Sequence, residues 1–551
     1  MVRHRGDLCR RVTLCRRGSV SKVARVAAVA ILALLFSACA STGSADKERS
    51  NPDKNDSASD SGSPQASEVE PVGQPSSGQQ PAEPLGVFAP VGERWSYLPA
   101  AVAGVTVTPD PQAEVPALEQ LREELATRPP ASGTDNYTRV SEATPTRFMD
   151  LLIDVGRRRS LNPLRMSRFA AMLGVAGHEA VVAAAKSSVA PVKTPAQIDK
   201  ALAKPVSGTD GWGVELPPTS LPPEIVAAAA MQTVACSALP VECPRFEQLG
   251  QVARDRLVAS GGVWPSQIDA GWNLGVTVGQ ETLAYANEDG AAPWTGDSAA
   301  AQDGSWVPTP GMFAPALEPG AGSWRPWNLT SGSQFRPKAP PQPGSAEFRA
   351  AAEQVLSVGS NLSDRALRIV RFWDMGPGSS TPPGYWLTDV ADEALRTTDV
   401  ADQASALAAL STAMFDASVA IWDSKYTYDL VRPVTVIRKD LSPQWLPSLL
   451  TPPFPAYVSG HAGYSTAAAV VLAQLIPRRA EEFYDSAAEA ADSRVRGGIH
   501  YFFDATGGVT LGESVATSSL DRAGLAPSEK LETVGERLEF QSADIGVQAR
   551  S

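Results

Sequence analysis

The chain has 551 residues, of which 43% are apolar and 20% are charged. This composition supplies enough apolar material for one large core or two smaller ones, and it indicates a globular protein of roughly two to four domains. The formal net charge of −12 excludes an extended basic surface for nucleic acid outside the extreme N-terminus. Functional cations must therefore act locally.

The first 39 residues have the pattern of an export signal. Basic residues precede an apolar run at 26–36, and Ser37, Ala38 and Cys39 follow it. The run is too short to span a bilayer as a mature helix, and no other part of the mature sequence is predicted to cross a membrane. Its ending resembles a bacterial lipobox, which implies lipidation of Cys39; plain secretion and an uncleaved anchor are the alternatives. We therefore predict an extracytoplasmic protein, anchored by lipid at the cell envelope or else secreted.

The segment 40–90 is predicted to be a disordered tether, because most of it is polar and lacks aromatic residues that could be buried. Later in the chain, apolar residues recur with helical spacing while strand signals are sparse. The predicted helices are Arg147–Val155, Met166–Lys186, Pro223–Ser237, Pro244–Ser260, Ser266–Asn287, Ser345–Val358, Ser363–Asp374, Gly384–Arg396, Asp399–Arg432, Ser465–Ile476, Ala480–Arg496 and Ala505–Leu520.

This order of elements predicts an all-α fold of two packed helical bundles. We assign the first bundle to 91–290 and the second bundle to 345–524. A connecting segment rich in Gly, Pro and Trp covers 291–344, and a charged C-terminal tail covers 525–551.

Two cysteines lie in the mature body of the chain. Cys236 and Cys243 are an even pair in a chain with an export signal, which favours a disulfide across a short loop. Two buried free thiols are the alternative. Two sulfur atoms alone are too few ligands for a structural metal site.

Three clusters in the second half of the chain combine cations, histidines and glycines. In the first, Lys425 and Arg432 are seven residues apart, which places them on nearly the same face of a continuous helix. Pro433 disfavours a helical backbone at Arg432, so the helix is predicted to end there and to direct the guanidinium forward. Taken alone, this pair would also suit a solvated basic face.

The second cluster is Ser459, Gly460 and His461, just before the helix predicted at 465–476. Free backbone N–H groups and the positive dipole end at a helix N-terminus bind anions, and Gly460 lets a ligand approach the main chain closely. The alternative is that Ser459 only caps the helix and that His461 is a core histidine with satisfied hydrogen bonds.

The third cluster runs from Arg494 to Asp504. Gly497 and Gly498 allow a turn that brings Arg494 and His500 toward one centre. His500 and Asp504 are four residues apart, so the carboxylate can bind one imidazole nitrogen and leave the other free to react or to bind a metal. Together the three clusters predict a pocket for a tetrahedral oxyanion.

In order and spacing, the clusters match the signature K-x6-R-P, P-S-G-H and S-R-x5-H-x3-D, with Val458 where the signature has proline. The chain therefore resembles the vanadium-dependent haloperoxidases and the wider type 2 phosphatidic acid phosphatase superfamily. The resemblance extends over about residues 146–524, and the phrases at 306–310, 372–374 and 421–425 look like bacterial haloperoxidases. Since Val458 has no side-chain chemistry, only a looser loop is expected there.

The resemblance implies orthovanadate as the cofactor, with phosphate as a competing oxyanion of nearly the same shape. His500 would be the single protein ligand of vanadium, Asp504 would orient it, and His461 would be the general acid–base. The residues that the resemblance assigns to binding the oxyanion are Lys425, Arg432, Ser459, Gly460 and Arg494.

Further roles follow from the same resemblance. Trp422 and Phe454 fall where chloroperoxidase-type members have aromatic residues that line a halide pocket, with ordinary core packing as the alternative. Asp374 would be a buried carboxylate that pairs with an arginine of the pocket. His178, in the first bundle, is interpreted as a packing or surface residue.

The resemblance favours a vanadate-dependent haloperoxidase, which would use hydrogen peroxide to oxidise a halide to a hypohalous acid equivalent that reacts with an organic acceptor. An acid phosphatase acting through a phosphohistidine at His500 is the second hypothesis. A non-catalytic, phosphate-binding envelope lipoprotein is the third, and retention of the signature's side chains argues against it. No nucleic-acid partner is expected, and the halide and the oligomeric state stay open.

Overall fold

A computed structural model describes the residues 85, 87–127, 144–190, 219–260, 262–291, 303–376, 378–391, 395, 399–525 and 533–543. The predicted signal region with Cys39 and most of the predicted tether lie outside these residues. At the end of the tether segment, Leu85, Val87 and Phe88 pack against the core.

The described elements are almost all helical. Two short strands, Thr106–Val107 and Ser188–Val189, pair in parallel. A π-helix covers Trp386–Val390, and 3₁₀ turns cover Val91–Glu93, Pro240–Glu242, Ala321–Ser323 and Pro477–Arg479. The α-helices in chain order are α1 (Pro111–Thr127), α2 (Pro145–Arg158), α3 (Pro163–Ala185), α4 (Pro223–Ala238), α5 (Cys243–Ser260), α6 (Pro265–Ala286), α7 (Ala346–Ser360), α8 (Asp364–Phe372), α9 (Thr381–Tyr385), α10 (Val400–Tyr428), α11 (Pro433–Asp440), α12 (Gly460–Leu475), α13 (Ala480–Arg496), α14 (Phe502–Arg522) and α15 (Val534–Ala543).

Helix α10 forms the centre of the fold. The Asp399 carboxylate begins it by accepting a hydrogen bond of 2.9 Å from the Asp402 N–H. Its small and apolar side chains let it pack against α3 on one side and against α12 and α14 on the other. The expected all-α fold of two packed helical bundles is confirmed, and α10 contacts helices of both.

The sequence did not predict three of the described helices. Helix α1 has a low apolar content and contains Pro116, so helical periodicity does not identify it. Helix α11 begins at Pro433, directly after the position where the longer predicted helix was expected to end. Helix α15 lies in the predicted charged tail, where Val534 and Leu538 are buried against the core.

The described part of the connecting segment, 303–344, is ordered and crosses α10. Trp324 and Trp327 are buried. The buried carboxylate of Asp416, on α10, accepts hydrogen bonds from the main-chain N–H groups of Trp327 at 2.7 Å and Asn328 at 2.6 Å. Since buried main-chain groups need partners, Asp416 fixes the path of this segment over the helix.

Helices α3 and α10 are both long and apolar enough to cross a membrane by length and composition. The expectation that the mature sequence has no such stretch is therefore wrong. In the structure, however, 83% of the relevant residues in α3 and 100% of those in α10 are buried inside the protein. We interpret both as core helices, whose apolar character comes from packing on every side.

Cys236, near the end of α4, forms a disulfide with Cys243 at the start of α5. The predicted disulfide is therefore present, and it joins two consecutive helices. Glu247 lies close to both sulfur atoms. Because the disulfide has no thiolate to offer, the three residues do not form a metal site in this state.

Candidate active site

The three clusters meet where several helices begin or end. Except for Gly460 and His461, which are partly buried, all of these side chains are almost fully buried. Lys425 lies in the last turn of α10, Arg432 before α11, Ser459 before α12, Gly460 and His461 in the first turn of α12, Arg494 in the last turn of α13, His500 before α14 and Asp504 in its first turn.

Lys425 and Arg432 do not share a helix, and that part of the prediction is wrong. Helix α10 already ends at Tyr428, and Asp429 has a left-handed backbone with φ of 44°. Arg432 is extended, with φ of −77° and ψ of 151°, as expected for a residue before proline. The turn at Asp429, rather than helical periodicity, therefore brings the guanidinium back beside the lysine.

The ammonium group of Lys425 binds main-chain oxygens. Its Nζ donates to the carbonyl oxygens of Pro455 at 2.8 Å and Ala456 at 3.0 Å, and it lies 4.8 Å from the centre of the Phe454 ring. Burial, together with the nearby Arg432, lowers the pKa of Lys425 well below its ordinary value. An anion at this position would favour the charged form of the lysine.

The two arginines are held in the same way. The Nε of Arg432 donates to the Phe454 carbonyl at 2.8 Å, and its Nη1 donates to the Ile499 carbonyl at 2.7 Å. The Nη1 of Arg494 donates to the Trp373 carbonyl at 2.6 Å. Burial lowers the pKa of Arg432 to about 10 and that of Arg494 to about 9, so both remain cationic at neutral pH.

His500 and Asp504 form a buried pair. The Nδ1 of His500 donates to Oδ2 of Asp504 at 2.8 Å, and the Tyr501 N–H donates to the same oxygen at 3.0 Å. The lone pair of His500 therefore lies on Nε2, where it accepts a hydrogen bond from Nη1 of Arg432 at 3.1 Å. Burial and the nearby cations lower the pKa of His500 well below its ordinary value, which keeps the ring neutral.

His461 faces the same space from the first turn of α12. The main-chain oxygen of Trp373, which accepts from Arg494, favours the protonated form of His461 and acts against the lowering of its pKa. The Nε2 is buried and has no hydrogen-bond partner within the described segments. Burial, followed by the effect of Arg494, lowers the pKa of His461 well below its ordinary value. The alternative of a core histidine with satisfied hydrogen bonds is therefore wrong.

Ser459 and Gly460 form the start of α12. The Ser459 hydroxyl accepts from the Ala462 N–H at 3.5 Å, and its own N–H donates to the Asp504 carbonyl at 2.9 Å. A Cβ placed on Gly460 would meet only the Tyr464 ring, at 3.7 Å, so the space beside Gly460 is open. Val458 is completely buried, and the looser loop expected there stays a prediction.

A cavity of about 340 Å³ is lined at one end by four of these residues: Gly460, His461, Arg494 and His500. Trp422 and Phe454 line it, with ring centres 5.0 Å apart. The Trp422 indole N–H donates to the Leu317 carbonyl at 3.0 Å, which fixes the orientation of the indole. The cavity therefore places both predicted halide-pocket aromatics beside the cationic end, although each also packs against the core.

The prediction for Asp374 is wrong with respect to burial. Its side chain is exposed at the cavity, just after the end of α8. It raises the pKa of Arg494 through its charge, against the larger effect of burial. The hydrogen-bond acceptor of Arg494 is instead the main-chain oxygen of Trp373, a contact that no side-chain motif could reveal.

The unsatisfied groups test whether an oxyanion fits the site. Within the described residues, Nη2 of Arg432, Nε of Arg494 and Nε2 of His461 are buried without partners. Such groups are costly unless something binds them. A tetrahedral anion carries acceptor oxygens in several directions and would satisfy the two guanidinium donors together. The donor set therefore fits phosphate or orthovanadate.

Comparisons with known proteins agree with this site. A family model described as the VCPO second helical-bundle domain matches residues 405–479, which include the first two clusters. No curated protein sequence matches the chain. Among solved structures, a bacterial vanadium-dependent iodoperoxidase is 26% identical, with a TM-score of 0.55, over 70% of this chain and 99% of the iodoperoxidase.

A bacterial vanadium-dependent chloroperoxidase is less similar, and no argument rests on it. Its holo and apo forms are each 15% identical with a TM-score of 0.47. They cover 69% and 66% of this chain, respectively, and 93% of the chloroperoxidase. The bundle model, the shared fold with the iodoperoxidase and the converging signature residues show that this chain is similar to the vanadium-dependent haloperoxidases.

Proposed function

We propose that this protein is a vanadate-dependent haloperoxidase, which uses hydrogen peroxide to oxidise a halide to a hypohalous acid equivalent. The observation that carries the proposal is the buried cluster of cations with unsatisfied donors beside Nε2 of His500, whose hydrogen bond within the described residues is with Arg432 of the same cluster. This cluster supports an oxyanion as resident cofactor. The similarity to a vanadium-dependent iodoperoxidase supports orthovanadate as that oxyanion.

Each residue has a defined task in this proposal. The oxyanion's charge would be neutralised by Lys425, Arg432 and Arg494, which the main chain already holds in place. His500 would hold it through Nε2, while Asp504 keeps the proton on Nδ1. Bound vanadate would supply a Lewis-acid centre that activates hydrogen peroxide toward a halide ion.

His461 would move the proton in the reaction. Its Nε2 is neutral and unpartnered and lies at the cavity, so it can accept a proton from an incoming peroxide molecule. Trp422 and Phe454 would present apolar rings to the halide, and the ammonium group of Lys425 beside Phe454 would add a positive charge.

Iodide is the first halide to test, because it is the most easily oxidised and because one matched structure is an iodoperoxidase. The protein would be loaded with orthovanadate, then given hydrogen peroxide, a halide and an electron-rich phenol. Halogenated phenol is the expected product. Hydrolysis of a phosphomonoester by the unloaded protein, without halogenation by the loaded one, would instead identify an acid phosphatase. Oxyanion binding without either reaction would identify a non-catalytic protein.

We also propose that the protein acts outside the cytoplasm. The basic and apolar N-terminal pattern and Cys39 support export with a lipid anchor. Fractionation of cells should find the protein with the envelope, and Cys39→Ala should release it or prevent its maturation. Recovery of the unchanged chain from the cytoplasm would contradict the proposal.

A further inference from the structure

The methionines differ sharply in their access to solvent. Met312 is 36% exposed and Met375 is half-buried, and both line the active-site cavity. The other methionines of the described segments are almost completely buried: Met149, Met166, Met172, Met231 and Met414. Among the described residues, the solvent-accessible methionine sulfurs therefore lie at the active-site cavity, where the hypohalous acid would form and leave.

The two thioethers belong to two different walls of the cavity. Met312 lies in a segment whose Leu317 is held by main-chain bonding to Pro453 at 2.9 Å and by the Trp422 indole at 3.0 Å. Met375 follows Trp373 by two residues and packs against the core. Neither residue has a role in holding the oxyanion.

We propose that Met312 and Met375 are the first protein groups oxidised by the electrophilic halogen formed at this site, each becoming a methionine sulfoxide. We further propose that oxidation of Met375 limits the number of turnovers of the enzyme. The inference rests on the proposed haloperoxidase function, because that function supplies the oxidant.

The reaction is a two-electron oxidation of sulfur. A sulfur lone pair attacks the halogen of hypohalous acid, which gives a halosulfonium ion and hydroxide. Water then forms the S–O bond as halide leaves, and two protons are released, one of which neutralises the hydroxide. In total, thioether and hypohalous acid become sulfoxide, halide and one proton.

The two positions differ in their consequences. A sulfoxide is polar, so it fits poorly where Met375 packs against the core. Displacement of Met375 would disturb Trp373, whose carbonyl oxygen accepts the hydrogen bond of Arg494. Met312 is more exposed and has no such link, so its oxidation should change the rate little.

The test uses the vanadate-loaded full chain with hydrogen peroxide and bromide, followed by proteolysis and mass spectrometry. A parallel reaction with a phenol reports halogenation. Met312 and Met375 should gain one oxygen atom at least about tenfold faster than the buried Met231. Met375→Leu should sustain about threefold more turnovers before its own initial rate is halved, because leucine cannot be oxidised in this way. Met312→Leu and Met231→Leu are the matched controls and should decay like the unchanged chain.

Halogenated phenol without oxidation of Met312 and Met375 would overturn the inference and leave the proposed function intact. Equal oxidation by peroxide in the absence of bromide would also overturn it, because the oxidant would then not be the halogen. If Met375→Leu decays as fast as the unchanged chain, Met375 does not limit turnover. Absence of halogenated phenol with iodide as well as with bromide would contradict the proposed function itself, so the two failures are distinguishable.

Discussion

Two buried histidine environments in this protein differ in one decisive respect. The His178 clamp comprises His178, Glu179, Trp95, Tyr97 and Ser405. Both ring nitrogens of His178 have partners, the Ser405 hydroxyl at 3.1 Å and the Trp95 carbonyl at 2.9 Å, and the Trp95 ring stacks on it at 4.2 Å. Glu179 binds the Tyr97 N–H at 2.6 Å.

The active site is buried to a similar degree but leaves polar atoms without partners. Within the described residues, four site atoms have no hydrogen-bond partner: Nε2 of His461, Oδ1 of Asp504, Nη2 of Arg432 and Nε of Arg494. Both ring nitrogens of His178 have partners, although Nε1 of the neighbouring Trp95 is buried without one, whereas Nε2 of His461 has no partner among the described residues. A buried polar atom without a partner can contribute binding energy to a ligand. The hydrogen bonding of the ring nitrogens therefore distinguishes His178 from His461 better than burial does.

The largest expected difference between the two environments is in activity. Replacing His500 by alanine should reduce halogenation by at least about a thousandfold, because the ligand atom for the oxyanion is lost. The matched variant His178→Gln, in the clamp, should keep its turnover per folded molecule. Halogenation rates, normalised to the folded fraction by circular dichroism, measure the effect. If both variants lost a similar share of their halogenation rate, the two histidines would not differ in function.

The next effect concerns stability. His178→Ala should lower the free energy of unfolding by about 3–5 kcal/mol, because it leaves a cavity against Trp95 and removes the hydrogen-bond partner of the Ser405 hydroxyl. Urea unfolding, followed by tryptophan fluorescence, checks this. His178→Gln, which retains hydrogen-bonding groups, should lose less. If His178→Ala left the free energy of unfolding unchanged, the clamp would not stabilise the fold.

The third effect is a dependence of stability on pH that originates in the clamp. Burial lowers the pKa of His178 from 6.5 to about 4 in the folded protein. Between these values the unfolded chain binds a proton that the folded chain does not, so stability falls as the pH falls from 6.5 to 4, by roughly 3 kcal/mol over the whole range. Above pH 6.5 the histidine has no such effect. Unfolding curves of the unchanged chain and of His178→Gln should diverge in this range, and parallel curves would refute the assignment.

The smallest expected effect has the opposite sign. Without an oxyanion, Arg494→Met should leave the free energy of unfolding unchanged or raise it by about 1 kcal/mol, since it removes a buried cation with an unsatisfied donor. Orthovanadate should raise the melting temperature of the unchanged chain and raise that of Arg494→Met much less. Thermal unfolding with and without orthovanadate measures both. A strongly destabilised variant would mean that Arg494 is structural.

Much of the fold follows from local pattern. The helices near 145–158, 163–185 and 480–496 combine long apolar periodicity with proline or capping residues, so their existence and approximate limits could be predicted. The spacing of the third cluster also predicted a turn between Arg494 and His500. The structure has this turn, with a positive φ of 80° at Gly498.

The errors at the site have one physical origin. The left-handed turn at Asp429 breaks the helix between Lys425 and Arg432, and aspartate at that position carries only a weak turn signal. Likewise, the acceptor for Arg494 is a main-chain oxygen at Trp373 rather than the neighbouring carboxylate of Asp374. Side-chain motifs do not encode contacts made by the main chain, so sequence patterns could not supply them.

The attachment of all three cations to main-chain oxygens has a consequence for evolution and engineering. Every residue has a carbonyl group, so substitutions at Trp373, Phe454 or Ile499 can preserve the acceptor even when the side chain changes. A deletion or insertion in these loops would instead move the oxygen itself. The site should tolerate drift in residue identity and resist changes in loop length, which makes segment length between the signature clusters the quantity to preserve when related enzymes are recombined.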